Sequence, residues 1–445
     1  PVTSSYFGDS SYEPDGPSTA ISEEVVSTGT LPPCNANDRA VSTQERSARA
    51  IQTTGLGFTP LASPVRVADT RTSAIDPSTY AGDTLCPAGQ LTVDMPSSVP
   101  SDAGAVVGEL TAINPSAAGY LSAFPAGTNW PGTANLNFAT SQTVGNLVTV
   151  GLGTDPSTGS PAVTIHNGAG TRADTDFTLD LYGYYAPESA TSGEAFIPMN
   201  PVRVLDTRGA SGSSVPKGSG RLIGAGASVT FSVPGVNGDN VPAGAGAVAL
   251  NVAVTNTTAV SYLQCYPAGS PPTSASPTAT IFWNVPGSTI ANQAVMGLPS
   301  SGTITCTNAA GDTDMIVDVD GYYRASGGAG SLFNALATPK RLLDTRPVAV
   351  PAGGTTASTV SPSSATAAVL NITDIANGGN YLTAYPAGAS APTAASVNYF
   401  PPDPSNTVAN GAYVATGSGG EVEILSASSS ANVVVDEFGF FAASS

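Results

Sequence analysis

One stretch of this chain occurs three times, and that repetition limits the fold more than any other feature. Pro64-Val65-Arg66-Val67-Ala68-Asp69-Thr70-Arg71 returns as Pro201-Val202-Arg203-Val204-Leu205-Asp206-Thr207-Arg208 and as Pro339-Lys340-Arg341-Leu342-Leu343-Asp344-Thr345-Arg346. The motif aspartates lie 137 and 138 residues apart, and an aromatic, Phe58, Phe196 or Phe333, precedes each copy. Further landmarks keep a constant order. An apolar stretch (Ala105–Ile113, Ala247–Thr255, Ala367–Thr373) is followed by a Tyr-Leu stretch closed by Pro-Ala-Gly (Tyr120–Gly127, Tyr262–Gly269, Tyr381–Gly388). Asn137, Asn284 and Asn398 come next, each near the end of a short strand, and Asn146, Asn292 and Asn410 stand in Thr-Val/Ile-Gly/Ala-Asn segments that open another. Each copy ends on Asp-x-x-Gly and two aromatics, with Asp180 and Gly183, Asp318 and Gly321, or Asp436 and Gly439. The chain thus divides into an extended docking arm, 1–57, and three modules, 58–187, 194–325 and 331–443. Short Gly/Ser/Ala-rich junctions near 188–193 and 325–331 act as tight linkers.

Nearly every segment is five to nine residues long, rich in Val, Thr, Ile, Tyr and Phe, and bounded by Gly, Pro, Asn or Ser. With no helical period, seven or eight such strands per unit predict an all-β chain of three tandem antiparallel β-sandwich, jelly-roll-like modules. Alternation in Tyr262-Leu263-Gln264-Cys265-Tyr266 puts Leu263 and Cys265 on one face. The 49 Gly and 37 Pro fit a turn-rich chain of this kind. The arm matches no copy. Within it, Ser42-Thr43-Gln44-Glu45 forms a capping-box pattern that predicts one short helix over Ser42–Ile51.

Four cysteines, Cys34, Cys86, Cys265 and Cys306, point to two disulfides, with four buried thiols as the alternative. Aligning the copies sets Cys265 against Ala123 and Ala384, and Cys306 against Ile165 and Leu425. A small residue facing a large one in two copies thus becomes a cysteine pair in the middle copy, which predicts Cys265–Cys306. Cys34–Cys86 follows by elimination.

The net charge of −18, with 14 basic residues, repels a phosphate backbone and disfavours an anionic membrane surface. No run of 18 apolar residues is present, so membrane insertion is not expected. Six of the twelve arginines sit in the repeated motif. Arg66, Asp69, Arg71, Arg203, Asp206, Arg208, Arg341, Asp344 and Arg346 therefore read as a partly buried ion-pair cluster fixing the exit from the first strand. The rival reading is an anion or glycan site present three times. The terminal aromatics (Tyr184/Tyr185, Tyr322/Tyr323, Phe440/Phe441) read as a core strand, because copy three has lost both hydroxyls. Trp130 and Trp283 are the candidates for stacking on a glycan, although a Trp in such a place more often packs in a core or loop. Asp174/Asp176 and Asp312/Asp314 have the spacing of a calcium loop, but copy three has Asn432 there, so no metal or other cofactor is assigned. The single histidine, His166, lies in a strand-like stretch with Thr307 and Ser426 as its counterparts. It reads as an exposed strand residue, and no catalytic residue is assigned.

"PVRVLDTR", "YPAG", "TVAN" and "VDVxGYY" resemble a repeated β-rich module of secreted actinobacterial proteins and, by extension, of their phages' virion proteins. The resemblance covers about 58–187, 194–324 and 331–442. It implies an extracellular accessory module and no established activity. The first residue, Pro1, fits removal of an initiator Met and so a protein made without a secretion signal and released by lysis. The expectation is a non-enzymatic structural surface protein, a phage virion decoration or tail-fibre subunit with an attachment role. Its partners would be itself or other virion or surface structural proteins, or a cell-surface glycan. The alternatives are a secreted cell-surface or filament protein and a glycan-binding module array.

Overall fold

The computed structural model describes residues 51–72, 80–168, 174–188, 193–208, 222–272, 278–324, 330–401 and 405–443. The helix expected at Ser42–Ile51, Cys34 and nearly all of both linkers lie outside these residues.

The first module contains β1 (Leu56–Asp69), β2 (Gln90–Asp94), β3 (Ala105–Ile113), β4 (Gly119–Pro125), β5 (Leu136–Phe138), β6 (Thr143–Gly151), β7 (Gly153–Thr154), β8 (Pro161–Asn167) and β9 (Asp176–Pro187). The second contains β10 (Ala195–Asp206), β11 (Ser228–Ser232), β12 (Ala247–Thr255), β13 (Ser261–Pro267), β14 (Ile281–Trp283), β15 (Ile290–Gly297), β16 (Thr303–Asn308) and β17 (Asp314–Arg324). The third contains β18 (Ser331–Asp344), β19 (Gly354–Thr359), β20 (Ala367–Ala376), β21 (Asn380–Pro386), β22 (Val397–Tyr399), β23 (Thr407–Ala415), β24 (Glu421–Ser426) and β25 (Ala431–Ala443).

Strand order identifies each module as a jelly roll. Module 1 pairs β1-β9-β3-β6 in one sheet and β2-β8-β4-β5 in the other. Modules 2 and 3 give the same two orders, β10-β17-β12-β15 with β11-β16-β13-β14, and β18-β25-β20-β23 with β19-β24-β21-β22. If the eight main strands are numbered along each module, leaving out the short β7, the orders are 1-8-3-6 and 2-7-4-5, the double Greek key of that fold. The two sheets differ in burial. In the outer sheets some strands alternate, as do β2 and β13, because one face meets solvent, whereas β4 and β8 of the first module are buried nearly throughout. Inner strands β3, β12 and β20 are buried almost throughout. One of their faces covers the module's own core and the other faces a neighbouring module, so their sequences are mostly apolar, and Glu109, Asn251 and Asn371 stand on the face toward the neighbour.

The modules form a closed cluster about a pseudo-threefold axis. Phe58 bridges Glu194, Phe196 pairs with Ser331, and Phe333 pairs with Leu56. Each first strand thus touches the next at the residue two before that strand's own Phe, and the third contact closes the triangle. Seven aromatics pack there. The rings of Phe58, Phe196 and Phe333 lie 4.4–5.1 Å from those of Tyr185 or Tyr323, Phe196 lies 4.5 Å from Phe441, and Tyr413 lies 5.8 Å from Phe441. Such contacts add to the area term that already favours burying large rings. β1 begins at Leu56, inside the expected arm, and the segment before it is already docked: Thr53 O accepts the Ala335 N–H.

Register corrects two alignments. Cys265 faces Cys306 where Ala123 faces Ile165 and Ala384 faces Ile424. The third counterpart of Cys306 is therefore Ile424, not Leu425, and that of His166 is Leu425, not Ser426. Val422-Glu423-Ile424-Leu425 has apolar residues at both candidate positions, so hydrophobicity alone does not fix the register, and a one-residue slip exchanges the faces. Likewise Phe282, not Asn284, is the counterpart of Asn137 and Asn398, because it pairs with Tyr262 as they pair with Tyr120 and Tyr381.

Candidate functional site

Two arrangements gather the side chains with chemistry: a clamp inside each module and a ring between modules. In the clamp, the opening and closing motifs meet. Arg66, Arg203 and Arg341 stand directly across from Asp180, Asp318 and Asp436. Each guanidinium reaches both oxygens of that carboxylate, Nε at 2.8 Å in every copy and Nη2 at 2.9, 3.1 and 3.2 Å. The motif aspartate grips the second arginine the same way. Asp69 takes Arg71 Nε at 2.9 Å and Nη2 at 2.5 Å, and it also accepts the Arg71 backbone N–H. Asp206 with Arg208 and Asp344 with Arg346 reproduce all three bonds. Burial works to raise the Asp69, Asp206 and Asp344 carboxyls, but bonds from the second arginine outweigh it and hold them below the usual range. Burial pushes Asp180 and Asp318 the other way, up, against their arginines. The repeated glycine belongs to the same construction. A Cβ on Gly183, Gly321 or Gly439 would stand 2.5, 2.3 or 2.4 Å from the ring of Phe58, Phe196 or Phe333, so each axial Phe requires it.

The ring is carried by Asn146, Asn292 and Asn410, which the sequence pattern marks only as strand openers. Each carbonyl oxygen accepts a backbone N–H from the neighbouring module: Gly411 to Asn146 at 2.7 Å, Leu147 to Asn292 at 3.2 Å, Gln293 to Asn410 at 2.9 Å. Those donors are the residues that follow the three asparagines, so the pattern runs once around the axis and closes. Each amide nitrogen donates to the same neighbour as well: Asn146 to Asn371 Oδ1 at 2.8 Å, Asn410 to Asn251 Oδ1 at 3.0 Å, Asn292 to Glu109 Oε1 at 2.6 Å. At the centre, Tyr185 and Tyr323 share a hydroxyl bond of 2.5 Å, and Tyr413 meets Thr149 at 2.7 Å. All these groups are buried, so each bond made also avoids the cost of leaving a polar atom unpartnered. The recurrence of an asparagine at the end of the same Thr-Val/Ile-Gly/Ala-Asn segment in all three copies was the available sequence signal, since a buried polar residue kept at one strand position needs a fixed partner.

Other candidates occupy different places. Cys265 and Cys306 are joined, closing a separation of 41 residues, and Cys86 is disulfide-bonded while Cys34 lies outside the described residues. Trp283 does not suit a glycan. It is 1% exposed, with Nε1 donating to Ala259 O, and it fills the core position of Phe138 and Tyr399. Trp130 is partly buried between Tyr120 and His166. His166 is 4% exposed, contrary to the surface position expected, and burial lowers its imidazole below the ordinary value, with the Gly89 backbone opposing. Asp176 accepts from Thr70 and Thr84, and Asp314 from Thr207 and Asn256, so the second acid of each Asp-x-Asp pair serves as a hydroxyl or amide acceptor.

No family description and no curated protein sequence matches this chain. Solved structures similar to it include the major capsid protein P2 of bacteriophage PM2, at 9% identity and a TM-score of 0.15, covering 57% of this chain and 98% of that one. A second is a chain from the triple jelly roll fold and turret assembly of an archaeal virus, at 9% identity and 0.15, covering 87% and 90%. A third comes from Sulfolobus turreted icosahedral virus, at 9% and 0.14, covering 80% and 84%. Likeness this slight carries no argument about what the chain does. The jelly-roll assignment stands on strand order.

Proposed function

We propose that this protein is a non-enzymatic structural subunit on the surface of an extracellular assembly, and that the assembly is a phage virion bearing it as a decoration or fibre with an attachment role. The observation that carries the reading is the closed ring of three like modules in one chain. A body with three similar lobes about one axis suits a threefold-symmetric seat, where each lobe meets the same surroundings. Three equivalent outward faces also allow weak contacts to add through effective concentration. The arginines and asparagines kept in every copy support a structural role, because their polar atoms are engaged within modules or between them. The net charge of −18 suits a surface that stays soluble when crowded. Fold alone leaves function open, so the test is location. Immunogold electron microscopy of the source culture, with antibody against the second module, is expected to label phage heads or tails. Label on cell surfaces or free filaments, with bare phage particles, overturns the virion reading in favour of a secreted surface protein.

A further inference from the structure

Two of the three junctions are built alike, and the third is not. Between modules 3 and 1, Asn371 accepts from Asn146 and donates its own amide to Ala134 O at 2.7 Å. Between modules 2 and 3, Asn251 accepts from Asn410 and donates to Ala395 O. One carboxamide does both jobs. Between modules 1 and 2 the same register position holds Glu109, opposite Asp180 as Asn251 is opposite Asp318 and Asn371 opposite Asp436. The two jobs are split there. Glu109 Oε1 accepts from Asn292, and the bond to Ala279 O comes from the Tyr182 hydroxyl at 3.2 Å. Glu109 Oε2 is left buried with no partner among the described residues. The opposing residue has changed in step. Glu109 sits over Gly145, where a Cβ would stand 2.1 Å from Oε1, while the counterparts facing the asparagine junctions are Ala291 and Ala409.

We propose that the junction between modules 1 and 2 is a proton-dependent latch, closed while the Glu109 carboxyl holds its proton and loosened when that proton leaves. Among the described residues, the groups facing Glu109 supply it no counter-charge. On β3 the neighbour is the Thr111 hydroxyl. From β9 come Asp180 and Tyr182, and β6 presents Gly145. β15 of module 2 presents Asn292, a neutral donor. Arg66 on β1 is bound to both oxygens of Asp180. Burial drives the carboxyl well above its ordinary value of 4.5, the Asn292 bond opposes this, and the Asp180 charge adds to it. An acid raised in the folded state keeps a proton that the unfolded chain sheds. Its effect is therefore lost stability as pH climbs past the ordinary carboxyl range, continuing up to the folded-state value. The latch does not depend on where the assembly resides.

The test is hydrogen exchange read by mass spectrometry on the full chain from pH 5 to 9, corrected for the intrinsic rate and followed in β6 and β15. Glu109→Gln keeps an acceptor for Asn292 and cannot ionise. The expected result is that wild-type protection falls relative to Glu109→Gln by at least about tenfold across the range, equivalent to about 1.4 kcal/mol. Glu194 and Asp374, both pushed up to about 7 by burial, titrate in both proteins and cancel in the difference. Glu109→Asn combined with Gly145→Ala rebuilds the pair found in the other two junctions. It supplies the reading if the single variant does not fold, and it is expected to behave as the glutamine does. Wild type and either folded variant following one pH curve overturns the proposal.

Discussion

The clamp and the ring are both made of buried polar side chains, yet they differ in how strictly the copies agree. The clamp has the same residues making the same paired bonds three times. The ring has the same asparagines three times, but what they meet differs: Asn371, Asn251 or Glu109. The clamp joins the two ends of one module, and its geometry is set by a cross-strand register common to all modules. A junction joins two different modules, so each side can change if the other compensates, as Gly145 does for Glu109. Repetition thus marks what a jelly roll of this kind needs in order to close, and divergence marks what holds this trio together.

The largest effect should come from breaking the clamp. Arg66→Ala strands Asp180 without its counter-charge in a fully buried site, and removing one partner of a buried pair costs about 3–5 kcal/mol. Arg203→Ala and Arg341→Ala should fall slightly lower, since those side chains are 20% exposed against 8% for Arg66. Urea denaturation of the full chain measures all three. A cost confined to one copy would contradict the equivalence on which the comparison rests.

The two arrangements were not equally legible beforehand. Both halves of the clamp stood out as motifs, and the structural reading of the arginines followed from charge being so scarce elsewhere. That Arg66 meets Asp180, 114 residues on, was not visible, because a motif shows what is repeated but not what it faces. The jelly roll was legible from strand spacing and turn residues. The closed cluster was not, because bonds to a neighbour's backbone N–H leave no signature in the partner's side chain, and the side-chain partners Asn371, Asn251 and Glu109 are not one residue type in all three copies. For Trp283 the sequence left core packing and glycan stacking side by side, because a short strand beside Gly and Pro resembles a loop, and its counterparts Phe138 and Tyr399 appear only once the register is fixed.

The disulfide sharpens the comparison from inside module 2. The other modules hold Ala and Ile where Cys265 and Cys306 stand, so Cys265→Ala with Cys306→Ile imitates them. Closing 41 residues contributes about 4 kcal/mol in the chain-entropy model. The new side-chain contacts offset part of that, and the expected net loss is about 2–4 kcal/mol, seen as a lower denaturation midpoint without reductant. An unchanged midpoint would mean that the Ala–Ile packing of the sister modules suffices here too.

Cutting the ring should cost less and, unlike cutting the clamp, unequally. Asn146→Ala, Asn292→Ala and Asn410→Ala each leave a neighbour's backbone N–H without its acceptor, at about 1–3 kcal/mol. Asn292→Ala should be the worst at neutral pH, because it also strips a fully buried carboxyl of its donor. Equal costs in differential scanning calorimetry would say that Glu109 behaves as the asparagines do, and the contrast between junctions would disappear.

The smallest change tests the register itself. Trp283 occupies the position of Phe138 and Tyr399, so Trp283→Phe gives module 2 the residue of module 1. The smaller ring still fills most of the site, while Ala259 O loses the indole N–H at 2.6 Å. The two effects together are expected to cost about 1–2 kcal/mol. Because the indole is buried, the same variant should leave binding to any purified cell-wall polysaccharide unaltered. A loss of such binding with stability intact would place Trp283 at a surface and break the alignment of the three modules at this strand.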